Sequence, residues 1–228
     1  MGLTFRMTAD SLVFRIATWL IPLIAAIVLH EVSHGWVANA FGDPTARRKR
    51  RLSLNPLRHV DPIGTIVLPL ALALSGAPVF GWAKPVPVVK RRLRNPRVHM
   101  ILVALAGPGM NLLLAMLGAL AWAGLGWLSP PEGLGWDFLI LNVANFVLIN
   151  VSLAIFNLLP IPPFDGGHVV EGLLPPALAP RYARLARYGF PILFLLLVVL
   201  PMAHIELVSA IIGPPIRLLL RLLGLPID

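Results

Sequence analysis

From Ser11 to Phe41 the chain is almost wholly apolar, yet the second half of that run carries His30, Glu31 and His34. A helix rises about 1.5 Å per residue, so about 20 apolar residues cross the roughly 30 Å hydrocarbon core of a bilayer. This run is long enough to cross and still emerge. A carboxylate inside such a span costs on the order of a few kcal/mol unless it is paired or put to use. Three ionisable groups within five residues therefore point to function. No small-residue cleavage site follows, and the most chemical part lies inside the run, so it is read as a permanent helix rather than a removed signal peptide.

The rest of the chain fits this reading. Mean hydropathy is +0.83 and only 13% of residues are charged, against roughly 25% in soluble domains. That excludes an ordinary water-soluble enzyme and a disordered chain. The absence of cysteine excludes disulfides, thiolate metal sites and cysteine nucleophiles. The net charge is +9, and twelve of the nineteen Lys and Arg lie at Arg47–Arg51 with Arg58, and at Lys84, Lys90–Arg92, Arg94 and Arg97. Both stretches flank apolar segments, the pattern of cytoplasmic loops facing anionic lipid headgroups. Membrane lipids are thus expected partners and nucleic acid is not.

Further spans are expected at about Val98–Trp127 and Trp136–Leu159, with weaker ones at about Tyr188–Met202 and Leu207–Leu223. Pro214, Pro215, Arg217 and Arg221 mark the last as partly interfacial. Trp82, Trp127 and Trp136 suit an interfacial aromatic belt. The chain reads as one membrane domain, 1–228: an all-α integral membrane bundle with one or two C-terminal helices over about 181–225. Ile63–Ala83 is ambiguous, being apolar but interrupted by Pro69, Gly76, Pro78 and Gly81. After it, Val86-Pro87-Val88 reads as extended chain, and Pro85 and Pro87, lacking backbone donors, suit an edge strand or a loop.

On a helix, His30 and His34 project from one face, one turn apart. That spacing lets two imidazoles bind one Zn²⁺, with Glu31 beside them as general base. A hydrolytic zinc site needs a third protein ligand, and no further histidine follows at metzincin spacing. Asp165 stands out within Asn157-Leu-Leu-Pro160-Ile-Pro162-Pro163-Phe-Asp165-Gly166-Gly167. The prolines stop a helix, and the glycines allow a tight turn next to a ligand. Asp165 as N-cap of the following helix is the alternative, and the two roles can coexist.

His30–His34 together with Asn157–Gly167 resemble the site-2 proteases, intramembrane zinc metalloproteases. Ala106-Gly107-Pro108-Gly109-Met110-Asn111 and Gly81-Trp82-Ala83-Lys84-Pro85-Val86-Pro87-Val88 add to the resemblance, which covers about residues 20–175 with motif order preserved. It implies a three-helix catalytic core (about 11–175), one zinc held by His30, His34 and Asp165, and Glu31 as the acid/base. It also implies single-pass transmembrane proteins as substrates. With no PDZ-like insertion or appended domain in view, a compact prokaryotic member is expected. The resemblance also puts Asn157 near the scissile carbonyl, as an oxyanion donor; helix capping or loop bracing is the equal alternative.

Asn111 is read as an interhelical hydrogen bond, and Asn142, Asn145 and Asn150 as packing glue or the lining of a wet cavity. His168 is either a partner of Asp165 or a helix-face histidine, while His59, His99 and His204 are unremarkable segment-end residues. The rival to a protease is a membrane zinc carrier or sensor using the same ligands without hydrolysis.

Basic residues follow the first span and precede the second, so both loops are expected on the cytoplasmic side of the inner membrane. His34 lies near that end of its helix, and Asp165 must reach it, which puts the active site toward the cytoplasm and the Ser129–Gly135 turn outside. Ile63–Ala83 then has both ends on one side. A re-entrant or short β segment over about 63–90 is the expectation.

Overall fold

The computed structural model describes residues 11–127 and 133–226. Among the described residues, four helices are long and apolar enough to cross a membrane: Leu12–Ala40, Pro96–Leu125, Leu134–Asn157 and Ala179–Met202. The first begins at Ser11, whose hydroxyl accepts from the Phe14 N–H. The second begins at Asn95, whose side chain accepts from the Val98 N–H, with Pro96 at the first helical position. Both starts satisfy donors that a helix N-terminus otherwise leaves unpaired.

The first three long helices pack against one another in a bundle. Small residues sit where they meet: Ala26, Ala104, Ala115 and Ala154 are fully buried. Lipid tails are as apolar as leucine, so close approach of backbones drives this packing more than hydrophobicity does. Larger apolar side chains turn outward instead, including Ile16, Leu20, Ile21, Leu117 and Leu120. An apolar exterior of this kind suits a lipid surround.

The fourth long helix is irregular, with a 3-10 stretch at Arg184–Tyr188 and a π stretch at Leu195–Val199. The C-terminal helix, Leu207–Leu222, has 16 residues and is shorter than a span requires. It continues through Pro214 and Pro215, and Leu220 seats it, with Leu225 just beyond, against Ala115, Ala119, Val147 and Val151.

The ambiguous segment contains a short apolar helix, Pro62–Ser75, ended by Gly76 in the left-handed conformation (φ 72°). The chain then doubles back. The Trp82 N–H donates to the Gly64 carbonyl (3.0 Å), the Lys84 N–H to the His59 carbonyl (2.8 Å), and the Thr65 hydroxyl to the Trp82 carbonyl (2.9 Å). Its two ends thus lie side by side. The expected β segment is not formed: no strand occurs among the described residues. Residues 81–89 are extended, but with Pro85 and Pro87 lacking donors they build no ladder. Side chains and loop carbonyls hold them instead. The Ser129–Gly135 turn lies mostly outside the described residues.

Candidate metal centre

His30 and His34 face the second long helix one turn apart, both buried. The Nδ1–H of His30 donates to Asn111 Oδ1 (2.6 Å), and that of His34 to the Val103 carbonyl (2.7 Å). The direction of the first bond follows from Asn111 itself, whose Nδ2 donates to the Ala26 carbonyl (3.3 Å) and Asn150 Oδ1 (2.8 Å), leaving only its oxygen for His30. Asn150 in turn donates to the Phe146 carbonyl. Both imidazoles therefore carry a proton on Nδ1, and each turns its Nε2 toward Asp165. Such partners fix a metal-ligating histidine's tautomer and ring orientation.

Asp165 reaches the same point from another part of the chain. It opens the short helix Asp165–Leu173, whose N-cap is Phe164, and the helix has no side-chain cap. The N-cap alternative is thus not realised. Instead Oδ2 lies 3.2 Å from His30 Nε2 and 3.4 Å from His34 Nε2, and the two Nε2 atoms are 3.1 Å apart. A tetrahedral zinc with ligands at 2.0–2.1 Å has ligand–ligand edges of about 3.3 Å. The triangle fits that ion. Asp165 Oδ2 is buried without a hydrogen-bond partner, and the three clustered atoms make a donor set that suits a bound cation.

The local chain explains how these atoms come so close. A Cβ on Gly107 would collide with His34 Nε2 and lie 2.6 Å from His30 Cε1. The second helix can pass the imidazoles only as glycine. At Gly166 a Cβ would collide with the Leu158 carbonyl oxygen, so the aspartate helix rests directly on the preceding turn. Its far end is clamped by Arg97, whose Nε donates to the Gly172 carbonyl and Nη2 to the Leu174 carbonyl, both at 2.7 Å. Cations suit helix C-termini in this way.

Glu31, half-buried, turns toward the extended segment and accepts the Val86 N–H on Oε2 (2.7 Å). His30, Glu31, His34, Asp165 and Asn157 all line one cavity of about 730 Å³. Its walls are chiefly apolar, with Trp82 and Phe190 meeting edge-to-face at one side (centroids 5.7 Å) and Lys90, His168 and Glu171 at another. Trp82 is thus a cavity wall, packed over Gly64, rather than a simple belt residue. Asn157 closes the third long helix, and its amide donates back to the Leu153 carbonyl (2.9 Å). Asn142 bonds back to the Phe138 carbonyl and Asn145 bridges to the Thr18 carbonyl, both as packing contacts. His168 pairs with Glu171 (3.5 Å), which Lys90 also holds (2.6 Å). His59, His99 and His204 lie outside the cluster: His59 bonds the Ser53 carbonyl and His99 stacks on Phe41.

A profile described as peptidase family M50 matches residues 134–200. The protein named "Putative zinc metalloprotease YwhC" from Bacillus subtilis is 40% identical over 188 residues, covering 80% of each chain. The chain belongs to peptidase family M50, the site-2 protease family. Proteins of like description named Rip2 are also similar to this M50 chain. That of Mycolicibacterium smegmatis is 33% identical over 80% of this chain and 66% of its own, and that of Mycobacterium tuberculosis 35% over 75% and 63%. The chain thus spans just under two thirds of the Rip2 proteins. No solved structure matches. As an M50 member the chain is a zinc metalloprotease, which decides against a carrier or sensor.

Proposed function

We propose that this M50 protease cleaves peptide bonds within or beside transmembrane segments of membrane proteins, single-pass proteins above all, with zinc on His30, His34 and Asp165. The observation that carries the reading is the convergence of His30 Nε2, His34 Nε2 and Asp165 Oδ2 inside an apolar helix bundle, on the wall of a mostly apolar cavity. Such a cavity suits the side chains of a membrane segment better than those of a soluble loop.

Zinc bound there supplies a Lewis acid and lowers the pKa of water toward neutrality. Glu31, next in sequence to His30, lines the same cavity and is not one of the three clustered donors. It takes the proton of the attacking water and returns it to the leaving amine. Asn157 has a second amide proton beyond the one given to Leu153, and on this reading that proton faces the developing oxyanion. The substrate helix must unwind locally, since a helical carbonyl is already bonded and shielded. The extended chain at Gly81–Val88 runs along the cavity wall, and on this reading the backbone groups it leaves unbonded receive the unwound strand.

The side-by-side ends of the Ile63–Ala83 segment support a re-entrant path, and the basic loops support an active site toward the cytoplasmic face of the inner membrane. The test is reconstituted protein with a single-span substrate. Cleavage should stop with a chelator, return with zinc, and be lost in Glu31→Gln with the metal still bound. A Glu31→Gln protein that turns over normally removes Glu31 from the chemistry.

A further inference from the structure

Arg51 is a buried arginine, 9% exposed, directly after four exposed residues, Arg47–Arg50. Its Nη2 donates to the Lys84 carbonyl (2.6 Å) and, at longer range, to the Pro85 carbonyl (3.4 Å). Its Nε is buried with no partner. Among the described residues no carboxylate lies within ion-pair distance of it. A buried cation held by carbonyls is costly to fold around, and salt-bridge stability does not account for it.

The next residue along the segment supplies a reason. Val86 donates its N–H to Glu31 (2.7 Å). That N–H belongs to the same peptide group as the Pro85 carbonyl, so a cation at the oxygen strengthens the donor at the nitrogen. Pro85 and Pro87 have no N–H, which leaves Val86 the single donor between them. Its side chain is fixed as well: a Cβ on Gly35 would meet Val86 Cγ1 at 2.9 Å and collide with Leu52 Cδ2, so the segment lies tight against the first helix. Three residues on, the Val89 N–H is held by Asp43 Oδ2 (2.6 Å).

We propose that Arg51 is a positioning residue for Glu31: by pinning the Lys84 and Pro85 carbonyls it aims the Val86 N–H at the Glu31 carboxylate and holds that carboxylate beside the three metal-ligand atoms. The proposal rests on the reading of Glu31 as acid/base. Both bonds leave one guanidinium nitrogen, Nη2, which is held in place by the rigid plane of the group, whereas a lysine ammonium sits on a flexible stem. Burial lowers the Arg51 pKa while the Glu31 charge acts the other way, so the two groups feel each other across the segment.

The experiment uses the full chain in membranes, zinc-loaded, with Arg51→Met, Arg51→Lys, Val86→Pro, the Met/Pro double and Glu31→Gln. Bound zinc, kcat and KM on a single-span substrate are measured. Arg51→Met should keep stoichiometric zinc and a KM within about twofold, while kcat falls at least tenfold, equivalent to about 1.4 kcal/mol of barrier. Arg51→Lys should recover part of that loss. Val86→Pro should lower kcat comparably, and the double variant should be no slower than the slower single, because both cut the same link. Unchanged kcat in Arg51→Met, losses that multiply in the double, or zinc lost along with kcat would each overturn the proposal. If Arg51→Met does not accumulate, Val86→Pro decides: full kcat with zinc bound rejects the link. Turnover lost in Glu31→Gln but kept in Arg51→Met rejects this inference alone. Turnover kept in Glu31→Gln rejects the reading beneath it.

Discussion

Asn111 Oδ1 lies 2.6 Å from His30 Nδ1, across 81 positions of chain, and that bond decides which nitrogen of His30 faces Asp165. Asn111 also ties all three long helices of the bundle together, through Ala26 on the first and Asn150 on the third.

Replacing Asn111 by Leu should therefore weaken zinc binding by about 10- to 100-fold, the usual effect of losing a ligand's hydrogen-bond partner. Competition with a chelator of known affinity reads this directly. Unchanged affinity would mean that His30 is oriented by packing alone.

His30→Ala, His34→Ala and Asp165→Ala should each lose stoichiometric zinc, because a three-ligand site has no spare donor. Metal analysis of the purified proteins checks it. Zinc retained at one per chain in Asp165→Ala would remove Asp165 from the ligand set.

Gly107→Ala is the most economical way to damage the site without touching a ligand. The new methyl would collide with His34 Nε2, and overpacking of this kind costs typically about 1–3 kcal/mol. Reduced zinc occupancy together with lower thermal stability is the expected pair of results.

Asp43 gives a pH dependence with a definite sign. Burial pushes its carboxyl up, but bonds from the Thr45 hydroxyl and from the Val89 and Thr45 N–H groups, with Arg92 nearby, outweigh burial and hold it below the usual carboxylate range. A folded-state pKa below the unfolded one, about 3.9, adds stability that is present above that pH and lost as pH falls through the folded value. Thermal unfolding of Asp43→Asn should show a lower midpoint at neutral pH and a flatter acid limb than wild type. Parallel acid limbs would mean that Asp43 is not the group responsible.

Sidedness is testable in this cysteine-free chain with single cysteines. Thr45 is a poor reporter because it is buried against Asp43, whereas Arg48 and Arg91 are exposed. Arg48→Cys and Arg91→Cys should both resist an impermeant external thiol reagent in intact cells. Labelling of one alone would show that Ile63–Ala83 crosses the membrane.

The helices were legible because a bilayer imposes a length and a composition that a sequence displays openly. The histidine pair was legible because helical spacing is local. Asp165 could be nominated from its prolines and glycines, but its convergence with the histidines needs the turn at Leu158–Pro162 on which Gly166 rests. The roles of Arg51, Arg97 and Val103 were not legible. Each acts through backbone carbonyls, which every residue has, so no residue type announces them. The β reading of Val86–Val88 failed for a related reason: extended chain without a free run of donors is held by side chains, here Glu31 and Asp43.

The ligands also arrive in a fixed order. Two imidazoles are made early, and the carboxylate that completes the triangle follows only at position 165, after the third long helix. On the proposed ligand set, a growing chain short of position 165 holds two of the three donors. That site can be complete only once position 165 has been made, so synthesis itself orders the gain of activity.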